Sequence, residues 1–128
     1  MGRKTFETVL SFGDWPYEKP VIVLSKTLQE KDLPEELGDR VRILKLEPNE
    51  AMEFVGDQGW QRVYVDGGSV VQSFIRSGLI RDMIISTVPV LIGEGQPLFG
   101  PLDTDVKLKL VKSQTFASGM IQNHYQLA

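Results

Sequence analysis

The sequence predicts an α/β fold, with a mixed, mostly parallel sheet, helices on both faces and a C-terminal antiparallel hairpin. Three observations carry this. Short apolar runs at Val21–Leu24, Val41–Leu44 and Val63–Val65 alternate with amphipathic segments, as in parallel βαβ units. Residues 63–75, VYVDGGSVVQSFI, read as strand, glycine pair and helix. The last third alternates apolar with polar residues on either side of a Ser118-Gly119 turn, which fits two antiparallel strands.

Taken in order, Met1–Leu10 reads as a helix. Phe6, Val9 and Leu10 recur at helical spacing, and Gly2-Arg3-Lys4-Thr5 forms its entry. Phe12–Pro20 holds Gly, Asp and two prolines and reads as a loop. Leu28–Arg40 is polar, with Pro34 and Gly38, and reads as loop with one helical turn. Pro48–Gly56 is a short helix, proline early and glycine as its stop. Ser69 is placed to cap the helix whose apolar face is Val70, Val71, Phe74 and Ile75, and Ser77-Gly78 ends it. Asp82–Val90 is a strand in which Pro89 demands an edge or a bend. Leu91–Gly100 is a glycine-rich loop. Val106, Leu108 and Leu110 alternate with lysines, predicting one buried and one wet face, and Ile121–Leu127 forms the final strand.

The 128 residues suit one domain, and 41% hydrophobic with 24% charged residues is an ordinary globular balance. A net charge of −3 gives no basic excess for nucleic acid or an anionic membrane. With no cysteine, disulfides, thiolate catalysis and cysteine metal sites are excluded, and a cytoplasmic setting fits. No run is long enough to span a bilayer. The single histidine, His124, shares its strand face with Gln122 and Gln126 and reads as a hydrogen-bonded position rather than a catalyst or metal ligand. Gly93-Glu94-Gly95 lacks the third glycine and the strand-to-helix setting of a dinucleotide fingerprint.

Three places favour anions. Gly2, Arg3, Lys4 and Thr5 open a helix with two cations and a hydroxyl. Ser25 and Lys26 close a buried strand. Gly67, Gly68, Ser69 and Val70 open another helix. Singly, each also reads as an ordinary turn or a solvated charge. Ligands of open α/β sheets bind beyond the C-terminal strand ends, so three such places on one rim suit a ligand with several phosphates along its length.

The segments MGRKTFE, VIVLS, VYVDGGSVVQSFI and VPVLIGEGQPLFG together resemble the dihydrofolate reductase superfamily. The last of them resembles the reductase domain of the riboflavin-biosynthesis deaminase-reductase, the RibD C-terminal type. The resemblance implies a dihydrofolate reductase-like three-layer fold, NADPH as hydride donor, and a pterin-like or aminopyrimidine small-molecule substrate such as 5-amino-6-(5-phosphoribosylamino)uracil. It implies that Gly2, Arg3, Lys4 and Thr5 hold cofactor phosphates and that Ser25 and Lys26 meet the 2′-phosphate. Gly67, Gly68, Ser69 and Val70 would lie against the pyrophosphate and the nicotinamide ribose, with a cis Gly67–Gly68 bond. Glu94, flanked by Gly93 and Gly95, would lie toward the substrate. A homodimer suits the family.

In that family a strand and a substrate-facing loop precede the motif that here begins the chain. The expectation is a single domain lacking that N-terminal segment, its gap filled by a partner chain or by further residues. No catalytic residue is assigned. The alternative to a reductase is a non-catalytic homologue that binds nucleotide or only forms an oligomer.

Overall fold

The computed structural model describes residues 1–127. Helix α1 spans Arg3–Leu10, strand β1 Val21–Leu24, β2 Val41–Leu44, helix α2 Pro48–Asp57 and α3 Gly68–Arg76. Strands β3 (Asp82–Thr87), β4 (Leu108–Thr115) and β5 (Ile121–Leu127) complete the chain. Two short 3₁₀ turns, Glu30–Asp32 and Glu35–Arg40, lead into β2.

β1 and β2 pair in parallel, in register from Val21 with Val41 to Leu24 with Leu44. Their side chains alternate about the pleat, so Val23, Val41 and Ile43 turn to one side. There they form a buried cluster with Phe6 and Leu37. Phe6 is the anchor that α1 contributes, and burying such a ring stabilises by about 1.5–3 kcal/mol. Trp15 and Tyr17 extend the cluster edge to face from Phe6, with centroids 5.9 Å (Phe6–Trp15) and 5.2 Å (Trp15–Tyr17) apart.

The other edge of β1 carries the chain's first residues. Leu24 N–H donates to the Met1 carbonyl at 2.8 Å, and the Met1 amine donates to the Ile22 carbonyl at 2.8 Å. Gly2 forms a parallel bridge with Leu24. Helix α1 begins at the next residue, Arg3, so its first turn stands at the C-terminal end of β1.

The second sheet has the order β3-β5-β4 and is antiparallel throughout. Phe116 N–H donates to Met120 O, and Gly119, at φ +87°, closes the turn between β4 and β5. β3 stops at Thr87, before Pro89, which has no N–H for a ladder.

Several expectations need correction. The sheet is not mostly parallel, because the described residues form one parallel and two antiparallel strand pairs. Val63–Val65 is not a buried strand. It has no strand partner among the described residues, and Tyr64 is 81% exposed. A backbone without a ladder to join keeps its hydrogen-bonding groups toward water. The buried face expected for the hairpin is also open. β4 is exposed along its whole length, with Leu110 54% accessible, since alternation specifies a strand but not a covering layer. Finally, α3 starts at Gly68 with Gly67 as its cap residue, so Ser69 lies inside the first turn and makes no capping bond.

Candidate functional site

The site is built where two helices begin side by side. Gly67 adopts φ +96°, which L side chains rarely tolerate, and so turns the extended chain directly into α3. A Cβ on Gly67 would stand 2.6 Å from Thr5 Oγ1 and 3.5 Å from the backbone nitrogen of Gly2. A Cβ on Gly2 would stand 3.0 Å from Val70 Cγ2. The missing side chains are what let the two helix starts approach. The Gly67–Gly68 bond is trans, not cis as the resemblance implied; the reversal of direction is carried by the positive φ of Gly67 instead.

Neither α1 nor α3 has a side-chain cap hydrogen bond. The first intrahelical bonds run from Phe6 N–H to Gly2 O (3.0 Å) and from Val71 N–H to Gly67 O (2.8 Å). The N–H groups of residues 3–5 and 68–70 therefore point out of the helix ends without an intrahelical acceptor. Two positive dipole ends meet at one place, an arrangement suited to an anion. Gly67 N–H is already taken, donating to Asp66 Oδ1 at 2.8 Å.

The structure brings Gly2, Thr5, Gly67 and Val70 together, with Gly68 and Ser69 on the same first turn. Ser25 follows Leu24, the rung paired with Gly2, so it emerges on the same rim. Its hydroxyl is committed locally, accepting from the N–H groups of Thr27 (3.2 Å) and Leu28 (3.0 Å). The cations are not turned onto the glycine pair. Arg3 pairs with Glu7 one turn along α1 at 3.2 Å, Lys26 lies 3.6 Å from Glu47 on the surface, and Lys4 is exposed. Such exposed pairs are weak and leave the side chains free to exchange partners. Glu94 sits exposed in the loop after β3.

Two residues emerge that the sequence reading had not singled out. Asp66 closes the extended segment at the glycine pair, and its charge acts on two groups. Burial lowers the Met1 amine below its ordinary value, and Asp66 partly opposes this. Burial raises the Tyr17 phenol, and Asp66 and then Tyr64 raise it further. Gln72 is the second: its side chain reaches the loop that carries Glu94. An acid just before a glycine pair and an amide one helical turn past it were visible as residue types, but what they face was not. A groove of about 490 Å³ adjoins the site, lined among others by Met1, Tyr17, Ile22, Trp60, Tyr64 and Phe74.

His124 lies away from this site. Its Nε2 is 3.0 Å from Asp82 Oδ2, and Arg62 donates to the same oxygen at 2.9 Å.

Residues 14–122 match the family of the RibD C-terminal domain. The chain is similar to the uncharacterized protein YyaP of Bacillus subtilis, 31% identical over 85% of this chain and 55% of that one. It is also similar to the uncharacterized protein YwjB of Bacillus subtilis, 34% identical over 49% of this chain and 36% of that protein. The chain thus spans about half or less of the curated relatives it matches. Among solved structures, a Shewanella sp. PV-4 protein provisionally assigned to riboflavin biosynthesis superposes with TM-score 0.93 at 37% identity, covering all of this chain and 72% of its own. A pyrimidine reductase-like protein of Corynebacterium diphtheriae shares the fold at TM-score 0.61 and 18% identity, over 90% of this chain and 53% of its own. By its matched residues, the chain belongs to the RibD C-terminal domain family.

Proposed function

We propose that this chain is the cofactor-binding part of an NADPH-dependent reductase acting on an aminopyrimidine- or pterin-like small molecule. The observation that carries the reading is the meeting of two uncapped helix starts at Gly67, with Thr5 and Val70 filling the space its side chain and that of Gly2 would need. A phosphate-bearing group fits such a place: two glycines allow close approach and six outward N–H groups can donate. Family membership, the riboflavin-biosynthesis neighbour and the pyrimidine reductase-like neighbour support the same reading.

NADPH, when bound, supplies the hydride. The work of this chain's residues is binding and orientation. The N–H groups of residues 68–70 and 3–5 donate to phosphate oxygens. Arg3 and Lys26 can swing from their weak partners, and the exposed Lys4 can turn, onto a more highly charged phosphate. Ser25 holds the turn after β1 that brings Lys26 to this rim. Glu94 is the polar group that the loop after β3 offers to a substrate. A three-layer arrangement and a homodimer belong to the same proposal; the open β3-β5-β4 sheet supports the second.

A second reading is a homologue that binds nucleotide without turnover. The unpartnered segment beside Gly67, with Tyr64 exposed, favours it, because a reacting substrate needs firm walls. One experiment separates the two. NADPH is titrated by its fluorescence, and its oxidation is then followed with an aminopyrimidine reductase substrate and with dihydrofolate. Binding with turnover supports the reductase, and binding without turnover supports the second reading. Absence of binding defeats both.

A further inference from the structure

Gln72 lies on α3 four residues past Gly68, one turn from the glycine pair and on the same face of the helix. Its Nε2 donates to the carbonyl oxygens of Pro97 at 3.2 Å and Leu98 at 3.5 Å. The loop backbone lies close on it: a Cβ at Gly100 would stand 2.5 Å from Gln72 Oε1 and 2.9 Å from Cδ, so a side chain there would displace the amide. The rest of the loop is held locally. Val90 N–H donates to Val88 O and Glu94 N–H to Ile92 O, while Leu91, Ile92 and Leu98 are exposed. Among the described residues, the two bonds from Gln72 are the hydrogen bonds that tie residues 88–107 to a helix. A segment with Gly93, Gly95 and Gly100 has much conformational freedom to lose, so what restrains it decides where it sits.

We infer that Gln72 is a positioning residue for substrate selection: its side-chain amide hangs the Gly93–Gly100 loop, which carries Glu94, on α3 one turn past the glycine pair. Loop docking follows from the geometry alone. Its consequence for substrate rests on the reductase reading. The amide acts as a donor to two carbonyls, so the isosteric Gln72→Glu removes the N–H groups and sets a carboxylate against two carbonyl oxygens. Gln72→Lys retains a donor on a side chain long enough to reach.

The test is limited chymotryptic proteolysis read by mass spectrometry, together with steady-state kinetics on the same proteins. In Gln72→Glu, cleavage after Leu98 and Phe99 speeds about five- to tenfold, the scale of one or two lost hydrogen bonds, while cleavage after Phe74 is unchanged. Gln72→Lys restores most of the resistance. In kinetics with NADPH, KM for the substrate rises severalfold in Gln72→Glu while the NADPH Kd stays within about twofold, since the helix start is untouched. Cleavage in Gln72→Glu as slow as in the wild type overturns the inference. So does faster cleavage with unchanged KM and kcat. If the wild type fails to bind NADPH, the reductase reading falls by itself, and the proteolysis still decides whether Gln72 holds the loop.

Discussion

Thr5 Oγ1 stands 2.6 Å from where a Cβ on Gly67 would lie, so the hydroxyl of one helix start occupies the side-chain space of the other. The contact joins residues 62 positions apart and makes two ordinary helix entries into one concave place.

Gly67→Ala meets both the positive φ and the Thr5 hydroxyl. The expected cost is about 1–3 kcal/mol of stability, read as a shift in the urea midpoint, with loss of NADPH binding. Ser69→Ala, by contrast, removes no capping bond and leaves the midpoint unchanged. A large shift from Ser69→Ala would show that the hydroxyl caps α3 after all.

Asp82 accepts from Arg62 and faces His124, joining the extended segment to the β3-β5 ladder. Asp82→Ala is expected to lower unfolding free energy by roughly 1 kcal/mol, because the partners are partly solvated. Asp82→Ala should also speed chymotryptic cleavage after the exposed Tyr64, in a segment that has no ladder of its own. Unchanged cleavage there would mean that Arg62 does not tether the segment.

Tyr17 is expected to titrate above the ordinary phenol value of 10.0, chiefly through burial and further through Asp66 and Tyr64. The sign follows from linkage. An acid whose folded pKa is raised keeps its proton longer in the native state, so its contribution is whole below pH 10.0 and is lost as pH climbs beyond it. Ultraviolet titration of the phenolate should show a late component that disappears in Tyr17→Phe. Asp66→Asn should move that component part of the way back, and an unmoved component would rule out the charge of Asp66 as a cause.

Leu108, Leu110 and Ile121 lie exposed on β4 and β5. If a second copy covers this sheet, light scattering gives a dimer for the wild type and a monomer for Leu110→Asp with an unchanged circular dichroism spectrum. A monomeric wild type would refute the homodimer.

What the sequence determined by itself was local. Apolar runs marked β1 and β2, helical spacing placed Phe6 and Val9 in the core, and glycines marked the turns, because these features depend on neighbours a few residues away. Gly2, Thr5, Gly67 and Val70 were legible as candidates from residue type and resemblance. Tertiary structure alone decided which of them meet, since the Gly67–Thr5 approach depends on how two distant helices are seated. It also decided that Val63–Val65 stays out of a ladder and that β4 stays open, because strand propensity is realised only where another strand or layer supplies the missing partner.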